Sequence, residues 1–120
     1  MKRALGSIVI NRQTTGHMWV KLTNLKIEYD EIVLPGNTEK VAKEHLHVVV
    51  VRGEKPILIE NLPCRGKVIT FEYNQEVKTN GRKFWLEVIC PQLANIRDAL
   101  GLKKQPTFPF HVTIGENKQF

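Results

Sequence analysis

Apolar and polar positions alternate along much of this chain, which is the signature of strands. Ser7-Ile8-Val9-Ile10-Asn11 reads as a first strand. The polar stretch from Arg12 to Gly16 reads as the loop that leads into His17-Met18-Trp19-Val20-Lys21-Leu22. Leu25-Lys26-Ile27-Glu28-Tyr29 alternates as a half-buried strand does, and Ile32-Val33-Leu34 is a short apolar run stopped by Pro35-Gly36. Asn37 or Thr38 is placed to cap a short helix through about Glu44. In His45-Leu46-His47-Val48-Val49-Val50-Val51-Arg52, the successive β-branched valines predict an interior strand buried on both faces.

The second half repeats the style. Ile57-Leu58-Ile59 reads as a short strand, and Pro63 to Gly66 as a loop. Lys67 to Val77 and Arg82 to Ile89 read as a hairpin around Asn80-Gly81, a dipeptide that suits a type I′ turn. Cys90-Pro91 opens the clearest helix, because a proline at the first helical position loses no hydrogen bond. Leu93, Ile96 and Leu100 follow at helical spacing, and Gly101 stops it. A loop from Lys103 to Pro109 leads to a last strand, Phe110-His111-Val112-Thr113-Ile114-Gly115. There His111 and Thr113 share one face while Phe110, Val112 and Ile114 share the other.

Leu46-His47-Val48-Val49-Val50 and Phe110-His111-Val112-Thr113-Ile114 share one frame (apolar, His, Val, variable, apolar) and lie about half a chain apart. The order of many strands and few helices predicts an α+β protein, one domain over residues 1–120. With the echo it would comprise two small pseudo-symmetric lobes of antiparallel strands, approximately 1–60 and 61–120. A central groove would carry one histidine motif from each lobe.

Composition narrows the partners. With 42% hydrophobic and 25% charged residues, the chain is no disordered segment. No apolar run approaches the roughly 20 residues of a membrane helix, and the first residues lack the pattern of a signal peptide. Cys64 and Cys90 have neither metal-type nor redox-type spacing, so they read as reduced thiols of a cytoplasmic protein. A net charge of +6 favours an anionic partner, nucleic acid first. The charges are dispersed (Lys2-Arg3, Lys40 and Lys43, Lys103-Lys104), which excludes a basic tail.

The two histidine frames, and above all the segment from Leu100-Gly101-Leu102 through Pro109 to Gly115, resemble the two-histidine phosphoesterases. The likeness is closest to small members described as Swiss-army-knife RNA-repair proteins, several from phages. It covers about the last quarter of the chain well. The resemblance implies a metal-independent hydrolysis of a 2′,3′-cyclic phosphate, or of a phosphodiester in RNA or a short or cyclic oligonucleotide, with no cofactor. His47 and His111 would be the catalytic pair, one as base and the other as acid, and Thr113 would hold phosphate oxygens. An imidazole suits both roles because its unperturbed pKa is near 6.5.

The first motif departs from the family pattern, since Val49 stands where Thr or Ser is expected. In another register His45 is the catalytic residue and His47 takes the hydroxyl position. Two competing readings follow from the residues. One is a catalytically impaired basic β-rich module that binds nucleic acid or nucleotide. The other is a zinc set made of His45, His47 and His111, which no nearby Cys or carboxylate cluster supports. Arg52 lies an odd number of residues beyond His47 and is expected to face away from it. Trp19, Tyr29, Tyr73, Phe84, Trp85 and Phe108 read as core or hairpin packing residues, with base stacking open to one at the groove, and His17 reads as a surface or loop histidine.

Overall fold

The alternating segments do form strands, and their edges join in a ring. The computed structural model describes residues 1–118. Its strands are β1 (Lys2–Arg12), β2 (Met18–Thr23), β3 (Thr38–Lys40), β4 (Val48–Glu54), β5 (Val68–Tyr73), β6 (Lys78–Thr79), β7 (Lys83–Ile89) and β8 (His111–Asn117); a helix, α1 (Pro91–Ala99), precedes β8. Antiparallel pairing runs β8-β4-β2-β1-β5-β7, and β7 pairs with β8 again to close a six-stranded barrel. Short strands β3 and β6 pair with the lengths of β8 and β7 that β4 and β5 leave open.

This corrects the expected α+β architecture of two facing lobes. The first half of the chain supplies β1-β2-β4 and the second half β5-β7-β8, but the two runs do not stand apart. They join edge to edge through β1–β5 and β4–β8. The physical reason lies in the edges. A lone three-stranded run would leave two unpaired edges and an open apolar face, whereas joining the runs pairs the edges and encloses one core.

The inward positions are those the alternation marks. Ile8 and Ile10 of β1, Met18, Val20 and Leu22 of β2, Ile69 and Phe71 of β5, Leu86 of β7, and Val112 and Ile114 of β8 are all buried. Gly6 and Gly115 are glycines for want of space. A Cβ at Gly6 would stand 2.6 Å from Leu22 Cγ, and one at Gly115 2.6 Å from Leu34 Cδ1.

Both ends of the barrel are plugged. Where β4 and β7 finish and β8 starts, α1 inserts Leu93, Ala94 and Ile96, followed by Leu100. At the other end the segment after β2 buries Leu25, Ile27 and Tyr29. It follows the predicted alternation but has no strand partner of its own; Lys26 N donates to Leu5 O, and the Tyr29 hydroxyl lies against Val41 O and Ile114 O.

Other local expectations also change. The predicted helix from residue 37 or 38 to about 44 is instead β3, paired to β8, followed by a 3-10 turn at Lys43–His45. Ile57–Ile59 runs into a 3-10 turn, Ile59–Asn61. The turn at Asn80-Gly81 is not type I′, because only Gly81 has positive φ (91°). Instead the Asn80 carboxamide oxygen accepts the Arg82 and Lys83 N–H groups.

Candidate active site

The site is built on the outer faces of β4, β8 and β7. In β8, Val112 and Ile114 point inward, so His111 and Thr113 point outward and are half-buried. Pairing with β7 sets Glu87 beside His111 and Trp85 beside Thr113. On the other side Val48 pairs with Val112. Val49 of β4 and His111 of β8 face one cleft. His47 immediately precedes Val48 and His111 immediately precedes Val112, so the two half-buried histidines flank the one pair that joins β4 to β8.

The two imidazoles are held in the same way. His47 Nδ1 lies 2.9 Å from His45 O, and His111 Nδ1 lies 2.7 Å from Pro109 O. A carbonyl only accepts, so each Nδ1 carries the proton and donates it. Each Nε2 is left for a ligand, either as a lone-pair base or as a protonated acid. The Trp85 ring meets His111 edge-on, with centroids 6.4 Å apart, and fixes its plane. His45 lies in the exposed 3-10 turn before β4 rather than on the strand face. Its contribution is the carbonyl that orients His47. His17 is an exposed loop residue bonded to Thr15 Oγ1.

A cleft of about 250 Å³ opens beside His111. From β4 it takes Val49, Arg52 and Glu54, and from the loop before β8 it takes Thr107 and Phe108. His47 does not line this cleft. The cleft exists because β4 and β8 share the single pair Val48–Val112 and then diverge. The freed Val50 carbonyl accepts from Arg97 of α1 instead, at 2.9 Å. Arg97, only 2% exposed, also holds Glu54 through both carboxylate oxygens, at 2.6 and 3.0 Å, and Lys103 O at 2.6 Å. The hydrogen bond from Arg97, first among the causes, holds the Glu54 carboxyl below its ordinary range.

Sequence reasoning missed Arg52. Lys21 pairs with Val49 and Val20 with Val51, so Val50 is an extra residue, a β-bulge. Val50 and Val51 are buried in succession, which reverses the phase of the strand and turns Arg52 onto the face of His111. The valine run therefore records a bulge, not burial on both faces, since Val49 is half-exposed. Nothing in the run of identical valines marks where the extra residue falls. Trp19 and Trp85 were read as packing residues, yet both are half-exposed on the outer face, and Phe108 is 65% exposed at the cleft.

The chain matches no family model, no curated protein and no solved structure. The site therefore has to be read from its own geometry. Among the described residues no three His, Cys, Asp or Glu side chains are grouped to hold a metal ion, so His45, His47 and His111 do not form the zinc set considered from sequence. No helix among the described residues is long and apolar enough to cross a membrane.

Proposed function

We propose that this protein is a metal-independent phosphoesterase. It hydrolyses a 2′,3′-cyclic phosphate, or a phosphodiester in RNA or a short or cyclic oligonucleotide, by two-histidine general acid–base catalysis. The observation that carries the reading is the pair His47 and His111. They flank the Val48–Val112 pair, and each Nδ1 is tied to a backbone carbonyl, which leaves each Nε2 without a partner among the described residues. The resemblance of the His111-Val112-Thr113 segment to two-histidine enzymes supports it, as does the net charge of +6.

In the reaction each imidazole nitrogen comes within about 3 Å of a reacting oxygen, with the phosphorus between the two histidines. One neutral imidazole takes a proton from water at Nε2 as the water oxygen bonds to phosphorus. The bond from phosphorus to the ribose oxygen (2′ or 3′) then breaks, and the other imidazole, protonated at Nε2, gives that oxygen its proton. The product is a phosphate monoester and a free hydroxyl, and solvent returns each histidine to its starting state. Thr113 Oγ1 donates to a non-bridging oxygen. Free Cys64 and Cys90 suit a cytoplasmic setting.

A panel of cyclic mononucleotides, cyclic-phosphate-ended RNA, and 2′–5′ and cyclic oligonucleotides tests this, run with wild type, His47→Ala and His111→Ala. The expected result is turnover that survives a chelator and falls at least a hundredfold in either variant. Full turnover by His111→Ala refutes the assignment, and loss to EDTA that zinc restores moves it to a metal site.

One observation favours a binding module over an enzyme: the cleft wall includes His111 and the hydroxyl-less Val49 but not His47. That reading predicts salt-sensitive nucleotide binding with no product from any member of the panel.

A further inference from the structure

Val49 faces His111 without a hydroxyl, so the phosphate lacks one of the contacts that a symmetrical site would give it. We propose that Arg52 supplies that contact, its guanidinium clamping a non-bridging phosphate oxygen of the ligand in the His111 cleft. The catalytic meaning of this clamp rests on the two-histidine reading; its role as an anion site does not.

Three observations converge on Arg52. The bulge at Val50–Val51 turns its side chain onto the cleft that His111 lines, where a regular strand would have sent it to the opposite face. Next, the guanidinium is positioned by an aromatic ring rather than a carboxylate: Arg52 Cζ lies 5.5 Å from the Trp19 centroid. A ring contact of this kind orients the planar group and leaves its N–H edges free for a ligand. Trp19 is itself backed by Gly53, where an added Cβ would stand 3.4 Å from the indole Nε1.

The third observation concerns Glu54, the acid that could have neutralised Arg52. It reaches the Arg52 backbone N–H at 3.2 Å, but both its oxygens are bound by Arg97. Among the described residues no carboxylate forms an ion pair with Arg52. Lys21 Nζ also lies 5.5 Å from the Trp19 ring, so the ring is shared by two cations. A forked guanidinium matches two phosphate oxygens at once, which a lysine ammonium does not.

The test measures binding and turnover separately. Adenosine 3′-monophosphate and inorganic phosphate are titrated by calorimetry into wild type, Arg52→Gln, Arg52→Lys and His111→Ala. Turnover of a 2′,3′-cyclic nucleotide is followed in the same set. Arg52→Gln should weaken adenosine 3′-monophosphate at least tenfold and lower the slope of log K against log salt by about 1. Arg52→Lys should restore part of the affinity. Arg52 is exposed, so circular dichroism and melting of Arg52→Gln should match wild type. Equal affinity in wild type and Arg52→Gln overturns the clamp, and so does a wild type that binds neither probe. A wild type that binds through Arg52 but turns nothing over keeps the clamp and removes the two-histidine reading.

Discussion

Replacing Arg97 by Met tests the contact that holds the cleft open. The native guanidinium is nearly dehydrated and donates to the Val50 and Lys103 carbonyls and to both oxygens of Glu54. Removing one partner of a buried pair costs roughly 3–5 kcal/mol. The Glu54 side chain is 33% exposed, so its stranded charge regains water and the cost falls to about 3 kcal/mol. The two carbonyls left without a donor keep it from falling further. For a chain of this size that is a drop in Tm of about 10–15 °C. The pH dependence has a definite sign. Arg97 lowers the Glu54 carboxyl in the folded state, so between the folded and unfolded values the unfolded chain binds more protons and stability rises with pH. The contribution is present above the unfolded glutamate value, about 4.3, and is lost as pH falls through the lower folded one. Urea unfolding followed by circular dichroism, near pH 7 and about pH 3, measures both effects. A gap between wild type and Arg97→Met below about 1 kcal/mol at neutral pH refutes the reasoning, as does a gap of the same size at both pH values.

Two further outcomes follow from the same geometry. Tyr29→Phe should cost about 1–2 kcal/mol, because the phenol lies against the Val41 and Ile114 carbonyls. Burial pushes that phenol up to about 12, so its contribution is present below the unfolded tyrosine value of about 10 and lost as pH rises through 12. Alkaline urea titrations should show a shallower loss in Tyr29→Phe, and identical slopes would refute this. Val49→Thr changes a half-exposed side chain across from His111, so stability should move by less than about 1 kcal/mol. Its new hydroxyl should raise kcat/KM about tenfold if it meets phosphate; an unchanged or lower value would show that the face opposite His111 does not touch the substrate.

The strands were legible wherever one face is buried and the other wet. The alternation in β1, β2 and β8 and the helical spacing of Leu93, Ile96 and Leu100 all lie where the periodicity puts them. The closure was not legible, because β1–β5 and β4–β8 are pairings between distant segments, and each strand's pattern says which face is buried but not which neighbour it has. Leu25, Ile27 and Tyr29 show the limit from another side: a plug crossing the barrel end buries alternate residues just as a strand does. Of the proposed site, the outward positions were legible: His111 and Thr113 stand on the wet face of β8 as the alternation has them, and His47 is half-buried just before β4. Arg52 was hidden because a bulge inside identical residues leaves no trace in the hydrophobic pattern.

The position of the site follows from how the barrel closes. The chain halves meet at two seams, and the seams differ. β1 and β5 pair along six registered positions, from Lys2–Tyr73 to Ser7–Val68, and leave no gap. β4 and β8 share one, after which the far half of β8 pairs with β3 and the far half of β4 turns to Arg97. Backbone groups inside a barrel are satisfied by neighbouring strands, so a ligand finds room only where a ladder stops and another donor takes over. The β4–β8 seam is such a place, and His47 and His111, one from each half of the chain, flank its one pair. The bulge then adds Arg52 to the cleft, and Arg97 occupies the carboxylate that would have quenched it. The cleft thus comes from an incompletely zipped seam, and the cation that faces it from a bulge on the other edge of β4.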